Sequence, residues 1–142
     1  ISHVKDGIEM ALEHRLPAAI VDLIPQHHGT RLVTYFYERA KESQDPDLGE
    51  VKEEDYRYPG PKPQTREAAI LMVADAVEAA ARTLTDPTPA RVQGLVQRIV
   101  NHIFIEGQLS ECDLTLKDLH QIARAMVRVL TAVHGQTITK LG

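Results

Sequence analysis

The sequence predicts an all-α helical bundle. Three observations carry that reading: apolar residues recur at helical spacing in six segments, helix starts carry threonine caps or a leading proline, and strand-like alternation is nearly absent. The 142 residues suffice for one domain with its own core. No repeat, low-complexity tract or internal boundary is evident.

Residues 2–14, "SHVKDGIEMALEH", place Val4, Ile8, Ala11 and Leu12 on one helical face. Pro17 opens a second segment, "PAAIVDLIPQHH" (17–28), apolar at Ile20, Val21 and Ile24. Pro25 should kink or end that helix just before His27-His28, and Gly29 permits an unusual dihedral or a close approach. "TRLVTYFYERAKES" (30–43) reads as a third helix, with Leu32, Val33, Phe36 and Tyr37 opposite Arg39, Lys41 and Glu42. Residues 44–64 are dense in proline and glycine and form a long loop, which in a domain of this size points to function or motion. Residues 65–84 are the strongest helix, capped by Thr65. Residues 88–107 follow the same logic, with Thr88 as cap, Pro89 in the first turn and Gly107 as stop. Residues 114–135 complete the bundle, with Leu119, Ile122, Met126, Val129 and Val133 as the expected buried stripe.

Composition narrows the function classes. Hydrophobic residues are 43%, charged residues 25% and the net charge is −4, so no basic field exists to hold long nucleic acid. A small anionic substrate remains open, because a bound metal inverts the local charge. Cys112 is the only cysteine, which excludes a disulfide framework within the chain. No apolar run approaches the ~20 residues of a membrane span, and no signal peptide is recognisable. "ISHVKDG" reads as the middle of a helix, so the expectation is a piece of a longer protein.

Several residues are candidates for chemistry. Asp75 stands in "AAILMVADAVEAAA", a helix apolar on nearly all sides and therefore expected to be central. A buried carboxylate there needs an arginine partner, a place at the core's edge, or a metal. His27 and His28 are neighbours whose side chains diverge. They could meet two metals, divide metal from substrate, or simply cap carbonyls and face water. His3 is a lone histidine on an amphipathic helix, and alone it means little. His14, His102, His120 and His134 read as solvated, and Cys112 has no nearby base to make it nucleophilic. The loop "YRYPGPKPQTRE" offers Tyr56 and Tyr58 for stacking on a base, and Arg57 and Lys62 for phosphate. Its other reading is a stiff surface brace for the next helix.

The order His3, His27-His28, Asp75 on an α-bundle resembles the later part of an HD-domain metal phosphohydrolase. "HVKDGIEMA", "LPAAIVDLIPQHHGTRLVTYFYERAKE", "YRYPGPKPQTREAAILMVADAVEAAAR" and "CDLTLKDL" are similar to the cytosolic domain of the bacterial seven-transmembrane HD receptors, the cyclic di-AMP phosphodiesterases, over nearly the whole chain. The resemblance makes residues 1–142 the C-terminal portion of such a domain. It implies a site for two divalent ions, iron or manganese, with His3, His27, His28 and Asp75 at ligand positions. It also implies cleavage of cyclic di-AMP to pApA, a metal-bound hydroxide rather than a side chain as nucleophile, and ions about 3.5–4 Å apart. The parent would be a membrane-embedded protein with this domain in the cytoplasm.

One departure from the family pattern stands out. The family's first histidine and its His-Asp doublet lie upstream of the segment matching His3, and no His-Asp dipeptide occurs here. The expectation is therefore half a site, with weak or absent metal binding, no turnover by these residues alone, and self-association through uncovered apolar surface. Two alternatives compete. One is another HD-type phosphohydrolase, such as a cyclic di-GMP enzyme, although "HHGTRLVTYFY" lacks the GYP motif such enzymes carry behind the histidine pair. The other is a non-catalytic helical module for nucleotide binding or dimerisation.

Overall fold

A proline four residues into a helix removes the amide that would bond back to the first turn, and its ring crowds the carbonyl there. The 17–28 segment shows this directly. In the computed structural model, which describes residues 2–44, 47 and 49–141, it is split at Asp22 into two single turns, α2 (Ala18–Val21) and α3 (Leu23–Gln26). Pro25 would have bonded to the Val21 carbonyl, and the helix breaks directly after Val21. The other elements are α1 (Ser2–Glu13), α4 (Thr34–Glu42), a 3₁₀ turn at Glu53–Tyr56, α5 (Arg66–Ala81), α6 (Pro89–Ile105) and α7 (Leu116–Leu141). Asp45, Pro46 and Leu48 of the predicted loop lie outside the described residues, as do Ile1 and Gly142.

Two compact units emerge, residues 1–62 and 63–142. In the first, α1 packs on α2 and α3, and α4 packs on the 3₁₀ turn. Val4 and Ala11 are the buried residues of α1, whereas Leu12, expected on the same face, is exposed. The third predicted helix starts four residues late. Residues 31–33 are instead extended and pair with the loop: Leu32 bridges Arg57 in antiparallel fashion, Val33 donates to the Tyr56 carbonyl at 2.7 Å, and Tyr58 donates to the Arg31 carbonyl at 3.0 Å. Residues 56–58 of the supposed loop are thereby tied down.

In the second unit α5, α6 and α7 share one core of Met72, Val73, Val77, Val96, Val100, Ile103, Ile122 and Ala123. Each of the large side chains contributes about 2 kcal/mol by leaving water. Both predicted caps form: Thr65 accepts from Ala68 N–H at 3.2 Å and Thr88 from Arg91 N–H at 3.3 Å. Gly107, at φ +77°, ends α6. Its N–H donates to the Phe104 carbonyl and that of Gln108 to Ile103, the paired bonds that close a helix C-terminus. α7 begins with a reciprocal cap, in which Thr115 N–H donates to the Asp118 carboxylate and Asp118 N–H to the Thr115 hydroxyl.

Two expectations about packing are corrected here. Val129 and Val133 are exposed, because α7 turns Ile122, Ala123, Met126, Val127 and Leu130 to the core instead. Asp75 is exposed, not buried. α5 buries Ala68, Ala69, Met72, Val73, Val77 and Ala81, which leaves Leu71, Asp75, Glu78 and Ala79 as an open strip. The helix is more apolar than its neighbours α6 and α7 can cover.

Candidate metal centre

Three short segments of the first unit build the site. α1 carries His3. His27 and His28 follow directly on the end of α3, two and three residues past Pro25. The extended segment 56–58 returns beside them through its pairing with residues 31–33. α1 comes close to α3 at Gly7, where an added Cβ would lie 3.3 Å from Ile24 Cγ2. His3 sits one turn before Gly7, so that approach sets its reach. Gly29 follows the pair at φ +52°, a left-handed conformation that redirects the chain immediately after His28.

His3, His27 and His28 each offer a ligand atom, and these atoms lie within 4.8 Å of one another. His3 Nε2 and His28 Nε2 are 3.0 Å apart. As a hydrogen bond, this contact needs one ring to donate and the other to accept. As a ligand pair, it matches two nitrogens at right angles on one ion, which stand about 3.0 Å apart for bonds near 2.1 Å. His27 is oriented by its backbone: Nδ1 contacts the Ile24 carbonyl, an acceptor only, so Nδ1 holds the proton and Nε2 keeps the lone pair. The donor set therefore fits a divalent cation. Imidazole donors bring no negative charge to an ion, so the set resembles part of a centre rather than a closed one.

Aromatic packing surrounds His28. The Tyr58 ring lies on it at 4.2 Å between centroids and 10° between planes, with His27 at 3.8 Å and 40°. His3 meets His28 edge-on at 5.0 Å and Tyr58 edge-on at 6.0 Å. Arg57 Nη1 donates to the Thr30 carbonyl at 3.1 Å, and its other arm pairs with Glu53. The Tyr56 ring is set against Tyr37 at 5.9 Å, and Lys62 is half-buried at the end of the unit.

Of the predicted residues, then, the fold gathers His3, His27, His28 and Tyr58, with Arg57 pinning the turn after the histidines. Asp75 belongs to the second unit, and its exposure removes the argument from a buried charge. The residues that sequence reasoning missed are supporting ones: Gly7, Ile24, Thr30 and Glu53. The β-forming runs "LVT" and "YRY" were the available signal for the 31–33 and 56–58 pairing.

His102 is exposed and pairs with Glu106 at 2.8 Å. His134 departs from its predicted solvation: its Nε2 is shut from solvent with no hydrogen-bond partner among the described residues. Burial pushes the Cys112 thiol above its ordinary range, and its Sγ donates to the Leu109 carbonyl at 3.3 Å. No helix among the described residues is long and apolar enough to cross a membrane.

The chain is 45% identical over 138 residues to the cyclic-di-AMP phosphodiesterase PgpH of Listeria monocytogenes and 47% identical over 138 residues to that of Bacillus subtilis. In each case 97% of this chain is covered, and the chain spans 19% of the relative's length. The crystal structure of the L. monocytogenes PgpH HD domain in complex with cyclic-di-AMP matches with a TM-score of 0.85 and 45% identity, over 93% of this chain and 60% of that one. The family profile described as HD domain matches residues 1–80, more than half the chain. On that match the chain belongs to the HD domain family.

Proposed function

We propose that this chain supplies part of the metal centre of a phosphodiesterase that hydrolyses cyclic di-AMP to pApA in its parent protein. The observation that carries the reading is the convergence of three imidazoles from α1 and the end of α3 within 4.8 Å. His3, His27 and His28 would hold a divalent cation, iron or manganese. Asp75 enters the ligand set on the sequence resemblance alone. When bound, such ions supply charge neutralisation at the phosphate and lower the pKa of water toward neutrality.

The chain's own residues do the rest. The Ile24 carbonyl holds the proton of His27 on Nδ1 and so leaves Nε2 as its ligand atom. Tyr56 and Tyr58 offer ring faces to adenine, and Arg57 and Lys62 offer cations to phosphate. The stiff 58–63 segment presents these groups with little freedom to lose on binding. The parent protein is proposed to be membrane-embedded, with this domain in the cytoplasm and a homo-oligomer as its assembled form.

The test uses the intact parent and this chain side by side. In the parent, His27→Ala and His28→Ala abolish manganese-dependent conversion of cyclic di-AMP to pApA, and cyclic di-GMP is a poor substrate. Hydrolysis that survives both substitutions refutes the assignment. The chain alone, lacking the His-Asp doublet, gives no turnover. Tight manganese binding with turnover by the chain refutes the half-site argument.

A further inference from the structure

The notable geometry around His28 is its stack with Tyr58. The planes are 10° from parallel at 4.2 Å, far closer to parallel than either contact of His28 with another imidazole. Rotation about χ2 of histidine is soft and roughly two-fold, so a half-buried ring needs something to hold its plane. His27 has the Ile24 carbonyl for that purpose. The Tyr58 face adds a restraint of the same kind at His28, an aromatic wall against the ring.

The wall is itself anchored to the same turn. Tyr58 N–H donates to the carbonyl of Arg31, three residues after His28. Arg57 holds the Thr30 carbonyl from one side of Tyr58, and the Leu32–Arg57 bridge fixes the register. On the other side Gly60, at φ +81°, packs on Thr30. Tyr58 thus has a fixed position relative to the imidazole it covers. Its edge also meets His3, whose Nε2 lies 3.0 Å from that of His28.

We infer that Tyr58 is a positioning residue for the metal centre, its ring holding the His28 imidazole in the plane that lets its Nε2 and that of His3 address one cation. This inference rests on the metal reading of the three histidines. It assigns the role to the ring and not to the phenol hydroxyl, so phenylalanine preserves it and leucine removes it.

The experiment compares Tyr58→Phe, Tyr58→Leu and His28→Ala with wild type. In the intact parent each is titrated with Co²⁺ followed by visible absorption, and in this chain the metal-free imidazole ring protons are recorded by NMR. The backbone bonds at position 58 do not involve the side chain, and far-UV circular dichroism checks that each variant is folded. Tyr58→Phe should bind within about twofold of wild type and keep the upfield ring-current displacement of the His28 protons. Tyr58→Leu should lose that displacement and bind about tenfold more weakly, the usual scale for losing an outer-shell partner.

Three results overturn the inference alone: leucine binding as well as wild type while wild type exceeds His28→Ala, phenylalanine binding as weakly as leucine, or a displacement that persists in the leucine variant. Wild type binding no better than His28→Ala overturns the metal reading itself, and the positioning role with it.

Discussion

Gly60→Ala should loosen the first unit by about 2 kcal/mol, in two separable parts. The first is conformational. Gly60 has φ +81°, where an L side chain costs about 1–2 kcal/mol, partly offset by about 0.4–1 kcal/mol from a less flexible unfolded chain. The second is steric. The new Cβ would lie 3.0 Å from Thr30 Cγ2, inside the 3.5–4.0 Å optimum for carbon atoms. Thr30 must give way, yet its carbonyl accepts from Arg57 at 3.1 Å. Stretching that bond costs about 1 kcal/mol. Thr30→Ser removes Cγ2 and leaves the backbone untouched. In that background Gly60→Ala should therefore cost only about 1 kcal/mol, a coupling of about 1 kcal/mol in a double-mutant cycle. Urea unfolding followed by tyrosine fluorescence reads this unit selectively, because Tyr35, Tyr37, Tyr56 and Tyr58 all lie within residues 1–62. A Gly60→Ala variant within about 0.5 kcal/mol of wild type, or a serine background that fails to soften the loss, refutes the reasoning.

Other predictions address the second unit and the substrate. The Thr115 amide, and after it the Thr115 hydroxyl, hold the Asp118 carboxyl below the ordinary carboxylate range. Its contribution is therefore complete above the unfolded pKa and is lost as pH falls through the folded one. Thermal melts should show wild type above Asp118→Asn at pH 7 and the gap closing below about pH 4, and a gap that widens on acidification contradicts this. Ile103→Ala, at a fully buried position, should cost about 3 kcal/mol in urea unfolding followed by far-UV circular dichroism, and a loss under about 1 kcal/mol would mean that the site collapses around the cavity. Lys62→Ala in the intact parent should raise KM for cyclic di-AMP with little change in kcat, and an unchanged KM rejects its contact with phosphate.

What could be read from the sequence follows from where the determining forces lie. Helices α5 and α6 were legible because their caps are local: Thr65 and Thr88 each bond three residues ahead. The start of α4 was misjudged because residues 31–33 answer to partners 25 positions away, which periodicity does not register. Asp75 was misjudged for a related reason. An apolar helix tells how much it would bury, not how much its neighbours cover. At the site, Pro25 and Gly29 announced a turn at the histidine pair, but His3 was indistinguishable from a surface histidine until the resemblance singled it out. Tyr58 and Arg57 were noticed for their chemistry toward a ligand, whereas their contacts with His28 and Thr30 depend on a strand pairing that no short window contains.

Gly7 costs α1 about 1 kcal/mol of helix stability relative to alanine. In exchange the two helices can sit nearly backbone to side chain at that level, with Ile24 Cγ2 at 3.3 Å from where a methyl would be. His3 is four positions earlier and Ala11 four later, so one narrow ridge of α1 faces its partner with little bulk near the histidine. The width of that ridge acts as a gauge. Each carbon added at position 7 pushes the α1 imidazole away from the other two, and the gap between nitrogens would come to suit a larger ion, then none.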